Sequence, residues 1–170
     1  MKYLNLEIEP AFICENTGLY QTTRCVTEKE IIDMAKNITK RHFMRDEPLT
    51  THAETIDYLT FHMAHLTVEE FHCVFLTTQL HPIAIERLFQ GTVNNATIYP
   101  REVIKTALKY NASYAILAHN HPTGVAEPSR DDRRMTEYLV EALKFINVTV
   151  LDHIIIAGTS NYSFASHGEL

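Results

Sequence analysis

The run SYAILA, Ser113 to Ala118, together with the residues that follow it, constrains the fold of this chain more than any other stretch. It is a short apolar run, read as a buried strand, and it leads directly into His119. The loop NHPTGVAEP behind it holds the glycine and prolines of a fixed turn. Ser129 then starts a long helix that extends to about Phe145.

The flanking sequence extends this unit on both sides. The string TEKE from Thr27 reads as a capping box with Glu30, and Ile31, Ala35 and Ile38 then mark one face of a helix ending near Phe43. RDEP breaks the pattern. Thr51 and Glu54 form a second capping box, followed by Ile56, Leu59 and Met63 at helical spacing, in a helix expected to end by about Leu66. Between Phe71 and Phe89 the runs FHCVFLTT and IAIERLF, rich in β-branched and aromatic residues, read as a strand pair turning at QLHP. Pro100 suits a first helical turn, and Val103, Ile104, Ala107 and Leu108 share a helical face that ends at Asn111. VTVLDHIIIA and NYSFA are strand-like and flank a GTSN turn. Helices followed by a β-β-α-β-α-β-β succession predict a mixed sheet flanked by helices, an α/β layered sandwich. The first 25 residues hold one alternation, Tyr3, Leu4, Leu6 and Ile8, and then the aperiodic ENTGLYQTTR. We therefore expect an arm and helix over 1–45 and one α/β domain over 46–170.

Composition sets the outer limits. A chain of 170 residues with 45% apolar and 21% charged residues suits one globular domain and excludes disordered or fibrous classes. No apolar run reaches the ~18 residues of a membrane span, and MKYLNLEIEP carries acidic residues where a signal peptide would be apolar, so a cytoplasmic protein is expected. Cys14, Cys25 and Cys73 show no C-x-x-C pairing and read as reduced thiols. A formal charge of −6 argues against a broad cationic face for nucleic acid.

The chemistry gathers at His119-Asn120-His121-Pro122 and Ser129-Arg130-Asp131-Asp132. In extended backbone, side chains at i and i+2 point the same way, so His119 and His121 leave the strand together. Asp132 lies in the first turn of the returning helix, near its positive dipole end. Two imidazoles and a carboxylate suit zinc, and three protein ligands leave a fourth position open, as in catalytic sites. Zinc lowers the pKa of water to ~7 and polarises a carbonyl, which leaves a proton shuttle to be supplied. Glu70 is the candidate, with Glu69 as neighbour and rival, and Ser129 is a candidate donor to an oxyanion.

These residues resemble the JAMM (or MPN) metal-site pattern: an upstream glutamate, His-x-His, seven residues, Ser, two residues, Asp. More narrowly, GTVNNATIYPREVIKTALKYNASYAILAHNHPTGVAEPSRDD and VLDHIIIAG look like the RadC-like JAB domain of bacteria over roughly residues 45 to 165. The resemblance implies a cytidine-deaminase-like three-layer α/β/α sandwich and one Zn2+ on His119, His121 and Asp132. It also implies Glu70 as general acid/base and Ser129 lining the oxyanion site. Two features depart from the family: a helix-hairpin-helix segment of longer relatives is not seen, and FLTTQ replaces a strand that often has Asp after Leu. The chain is in that respect similar to prophage-associated and mobile-element RadC-like proteins.

Competing readings stand beside these. Ser129 and Asp132 also have capping-box spacing, and both roles can hold at once. Glu69 and Glu70 could be solvated charge at a strand end. Asp152-His153 could orient a ligand or form a buried hydrogen-bonded pair, and is left outside the expected site. His42, His52, His62, His65, His72, His81 and His167 lack partners at ligand spacing and read as surface or cap residues. Arg130, Arg133 and Arg134 form a small basic cluster beside the loop, read as a solvated face or an anion contact. The expected activity is hydrolysis of a peptide or isopeptide bond, with a peptide or protein substrate. The alternative is a DNA-associated role, as a phosphodiesterase or without catalysis. A zinc deaminase needs H-x-E and a distant C-x-x-C, and the chain has neither.

Overall fold

A computed structural model describes residues 11–14, 20–43, 48–91 and 99–170. The alternation at Tyr3 to Ile8 lies outside them. The chain divides into two compact units, Met1–Met44 and Arg45–Leu170.

In the first unit, β1 (Phe12–Cys14) pairs antiparallel with β2 (Tyr20–Thr22), matching Phe12 to Thr22. The arm was expected to have no period; strands of three residues are too short to show one. α1 (Glu28–Phe43) begins at the expected capping box, with Thr27 N–H donating to Glu30 at 2.9 Å and Glu30 N–H to Thr27 Oγ1 at 3.3 Å. Its Ile31 and Ile32 are both exposed.

The second unit opens with α2 (His52–Met63), capped reciprocally by Thr51 and Glu54. Thr55, Tyr58, Leu59 and Met63 form its buried face, and it stops a few residues before the expected Leu66. Five strands follow: β3 (Glu70–Leu76), β4 (Pro82–Gln90), β5 (Tyr114–Asn120), β6 (Thr149–Ala157) and β7 (Ser160–Ser163). They lie in the order β4-β3-β5-β6-β7, with β5 and β6 parallel and the other pairs antiparallel. α3 (Pro100–Lys109) and α4 (Arg130–Lys144) complete the unit.

Strand alternation sorts the buried side chains into two layers. Phe71, Cys73 and Phe75 of β3 and Ala115 and Leu117 of β5 pack with Val103 and Ala107 of α3 and Leu139 and Leu143 of α4. The intervening Val74, Leu76, Ile116 and Ala118 are equally buried and point to the other face, where α2 lies against β5 and β6. The result is the mixed sheet flanked by helices expected from sequence. Among the described residues, no helix is long and apolar enough to cross a membrane.

Candidate metal centre

β5 carries His119 at its C-terminal end, on the same side as Leu117 and therefore toward α4. The backbone then turns: His121 N–H donates to Ile156 at 2.8 Å, and Gly124, at φ 79°, returns its N–H to His121 at 3.1 Å. A side chain at Gly124 would strain that left-handed backbone. α4 begins at Ser129, whose backbone N–H (2.7 Å) and hydroxyl (2.6 Å) both donate to Asp132 Oδ2, while Asp132 N–H donates to Ser129 Oγ at 3.1 Å. The capping box expected from spacing is present, and it fixes the orientation of the Asp132 carboxylate.

These elements bring His119, His121 and Asp132 together. His119 Nε2 lies 3.0 Å from His121 Nε2 and 3.5 Å from Asp132 Oδ1, and His121 Nε2 lies 3.9 Å from Asp132 Oδ2. His119 and Asp132 are buried, whereas the His121 side chain keeps 17% of its surface exposed, so the cluster opens to solvent on that side. Ser129 is exposed at the same rim.

The second carboxylate at the cluster belongs to Glu69 and not to Glu70, the residue preferred from sequence. One oxygen of Glu69 and one nitrogen each of His119 and His121 lie within 4.8 Å of one another. The cause is strand parity. β3 pairs antiparallel with β5 so that Phe71 faces His119; continuing that alternation, Glu69, two residues before Phe71, falls on the same side as His121, two residues after His119. Glu70 therefore points to the α2 side, where its carboxylate accepts from His72 Nε2 at 2.9 Å and from Arg87 at 3.1 Å. Burial opposes ionisation of Glu70, but the bonds from His72 and Arg87 outweigh it and hold the carboxyl below its usual range. His72, expected at the surface, is mostly covered in this pair.

Two further residues of the neighbourhood were outside the expected site. Asn120 is buried; its Oδ1 accepts from Glu70 N–H at 2.8 Å, and its amide donates to Val68 at 2.9 Å and Leu66 at 3.3 Å. It thereby staples the segment carrying Glu69 to β5. Asn120→Ala is expected to cost about 1–3 kcal/mol by leaving these buried groups unpaired, read as a lower urea midpoint. An unchanged midpoint would mean that water replaces the amide. The other is His153 on β6, fully buried, with Nε2 2.8 Å from His119 Nδ1.

The donor set fits a metal ion. His121 Nδ1 donates to the Val125 carbonyl at 2.7 Å, so in the neutral ring Nε2 is a bare lone pair aimed at the cluster. Two nitrogens bound at ~2.0–2.1 Å to a tetrahedral ion lie about 3.3 Å apart, close to the spacing of the two Nε2 atoms. Burial holds His119 below the usual imidazole range against the pull of Asp132, and burial with the neighbouring imidazoles holds His153 well below it. Both are thus neutral, as ligation requires of His119.

A pH dependence follows for the metal-free protein. As pH falls below about 6.5, the unfolded chain takes up protons at these imidazoles and the folded chain resists. Their contribution to stability is complete above that pH and declines below it. Urea unfolding at about pH 7.5 and about pH 5.5 should show the lower midpoint at the acid value. Equal midpoints would mean that the folded rings protonate freely.

A mixed five-stranded sheet presenting His119, His121 and Glu69 at a strand end defines a protein with a site able to hold a metal ion. Residues 49–169 match the family model described as the RadC-like JAB domain, and the chain belongs to that family; the broader JAB/MPN grouping includes metalloenzymes. It is 45% identical over 140 residues to a UPF0758 protein of Thiobacillus denitrificans, covering 82% of this chain and 62% of that relative. It is 43% identical over 147 residues to the UPF0758 protein YkfG of Escherichia coli, covering 84% and 91%. A UPF0758 protein of Methylibium petroleiphilum is 53% identical over 114 residues, covering 67% of this chain and 51% of its own length. The chain thus spans just under two thirds of the Thiobacillus relative. None of these names states an activity.

Proposed function

We propose that the chain is a zinc-dependent hydrolase that cleaves an amide, in a peptide or isopeptide bond. The observation that carries this reading is the convergence of the His119 and His121 imidazoles and the carboxylates of Asp132 and Glu69 at one half-open site. His119, His121 and Asp132 would hold the ion, and Glu69, immediately before β3, faces the same point. A zinc ion bound there lowers the pKa of water to ~7 and polarises a carbonyl. Glu69 takes the proton of the attacking water on its carboxylate and delivers it to the leaving amine. Ser129 keeps its backbone N–H on Asp132 and can turn its hydroxyl from Asp132 Oδ2 to the developing oxyanion.

Part of the basic cluster read as an anion contact is engaged within the chain. Arg133 is bound by Glu169 at 2.9 Å and by the Pro128 carbonyl at 2.7 Å, and Arg134 lies 3.9 Å from Asp131. The test is a screen of peptide and isopeptide substrates with zinc-loaded protein, with and without chelator. Chelator-sensitive cleavage supports the reading; cleavage of nucleic acid but of no amide overturns it.

A further inference from the structure

His153 contacts the cluster through one ligand only, and its other ring nitrogen faces a hydroxyl. Thr136 Oγ1 lies 2.6 Å from His153 Nδ1 and 2.6 Å from the Asp132 carbonyl, one turn back on α4. All these groups are buried. A carbonyl oxygen can only accept, so the single Thr136 hydroxyl proton goes to Asp132. Thr136 Oγ1 then has lone pairs left for His153 and no proton, so His153 carries its proton on Nδ1 and donates it to Thr136. With one proton per ring, His153 Nε2 is bare and accepts from His119 Nδ1–H at 2.8 Å. His119 Nε2, the atom facing His121 and Asp132, is left with a free lone pair.

We propose that Thr136 and His153 form a directional hydrogen-bond relay, anchored on the Asp132 carbonyl, that fixes the tautomer of His119 for metal binding. They are positioning residues and touch no substrate. The relay also joins two ligands mechanically, because the turn of α4 that presents Asp132 supplies the acceptor that orients His119. A bound ion and the relay demand the same proton direction: a metal on His119 Nε2 leaves His119 its proton on Nδ1, which needs a bare His153 Nε2, which in turn needs an acceptor for His153 Nδ1–H. Removing the hydroxyl leaves that buried N–H unpaired only in the metal-bound state. Metal affinity therefore falls although no ligand has changed.

The inference rests on His119 as a ligand, and the experiment separates the two claims. Zinc affinity is measured by chelator competition for the unaltered protein, Thr136→Val and Thr136→Ser, alongside thermal unfolding of the metal-free forms. Thr136→Val should bind zinc about 10–100-fold more weakly, the range for loss of an outer-shell partner, while Thr136→Ser stays near the unaltered protein. Long-range 15N–1H spectra of the zinc-loaded protein should place the His153 proton on Nδ1, a readout that also decides the matter if Thr136→Val fails to fold. Equal zinc affinity in Thr136→Val, equal losses in the Val and Ser variants, or a His153 proton on Nε2 would overturn the relay. No zinc in the unaltered protein would remove the hydrolase reading and the relay with it.

Discussion

Glu69→Gln is expected to keep the metal and lower turnover about 10²–10⁴-fold, the usual contribution of a positioned acid–base group. Glu70→Gln, one residue away, should leave turnover near that of the unaltered chain and instead weaken the fold by about 1–3 kcal/mol through its bonds to His72 and Arg87. The contrast is sharp because adjacent strand residues face opposite sides of the sheet. Glu69 shares the side of Phe71 and His119, and Glu70 shares that of Asn120. Both variants are compared with the same amide substrate and the same zinc loading. Lost turnover in Glu70→Gln with full turnover in Glu69→Gln would reverse the assignment.

Phe71→Ala should produce the largest loss of stability, about 3–5 kcal/mol, as expected for a fully buried aromatic ring. Phe71 also couples the core to the site: its ring stacks on His119 at a centroid distance of 6.2 Å and meets His153 edge-on at 5.5 Å. Truncation leaves a cavity beneath both imidazoles, so zinc affinity should fall together with the urea midpoint. Loss of stability with undiminished zinc affinity would show that the loop and α4 hold the ligands without the core ring.

Much of the site was legible because its signals are local. The strand run into His119, the glycine and proline loop, and the Ser129 cap are each set by neighbouring residues, as are the capping boxes at Thr27 and Thr51. The parts that were not legible depend on pairing between distant strands. β3 is buried on both faces, so EFHCVFL carries no alternation to show which glutamate faces α4. The β3–β5 register decides it, and the only sequence hint is that Glu69 shares parity with Phe71, Cys73 and Phe75. His153 reaches His119 because β6 lies parallel beside β5, with Leu117 opposite His153, a neighbourhood that the DHIII run alone does not announce. Asn120 reads as a spacer between two ligands, yet its role is to hold the backbone that bears the opposing glutamate.

The most direct test of the metal-centre claim is the zinc content of untagged protein purified without added metal, measured beside His121→Ala and Asp132→Asn. Asparagine at 132 can still accept from Ser129, so the helix cap persists while the anionic ligand is lost. About one zinc per chain is expected in the unaltered protein, with a loss in both variants that keep their fold. Protein that contains no zinc and takes up none on dialysis against it would mean that these histidines and Asp132 serve the fold alone.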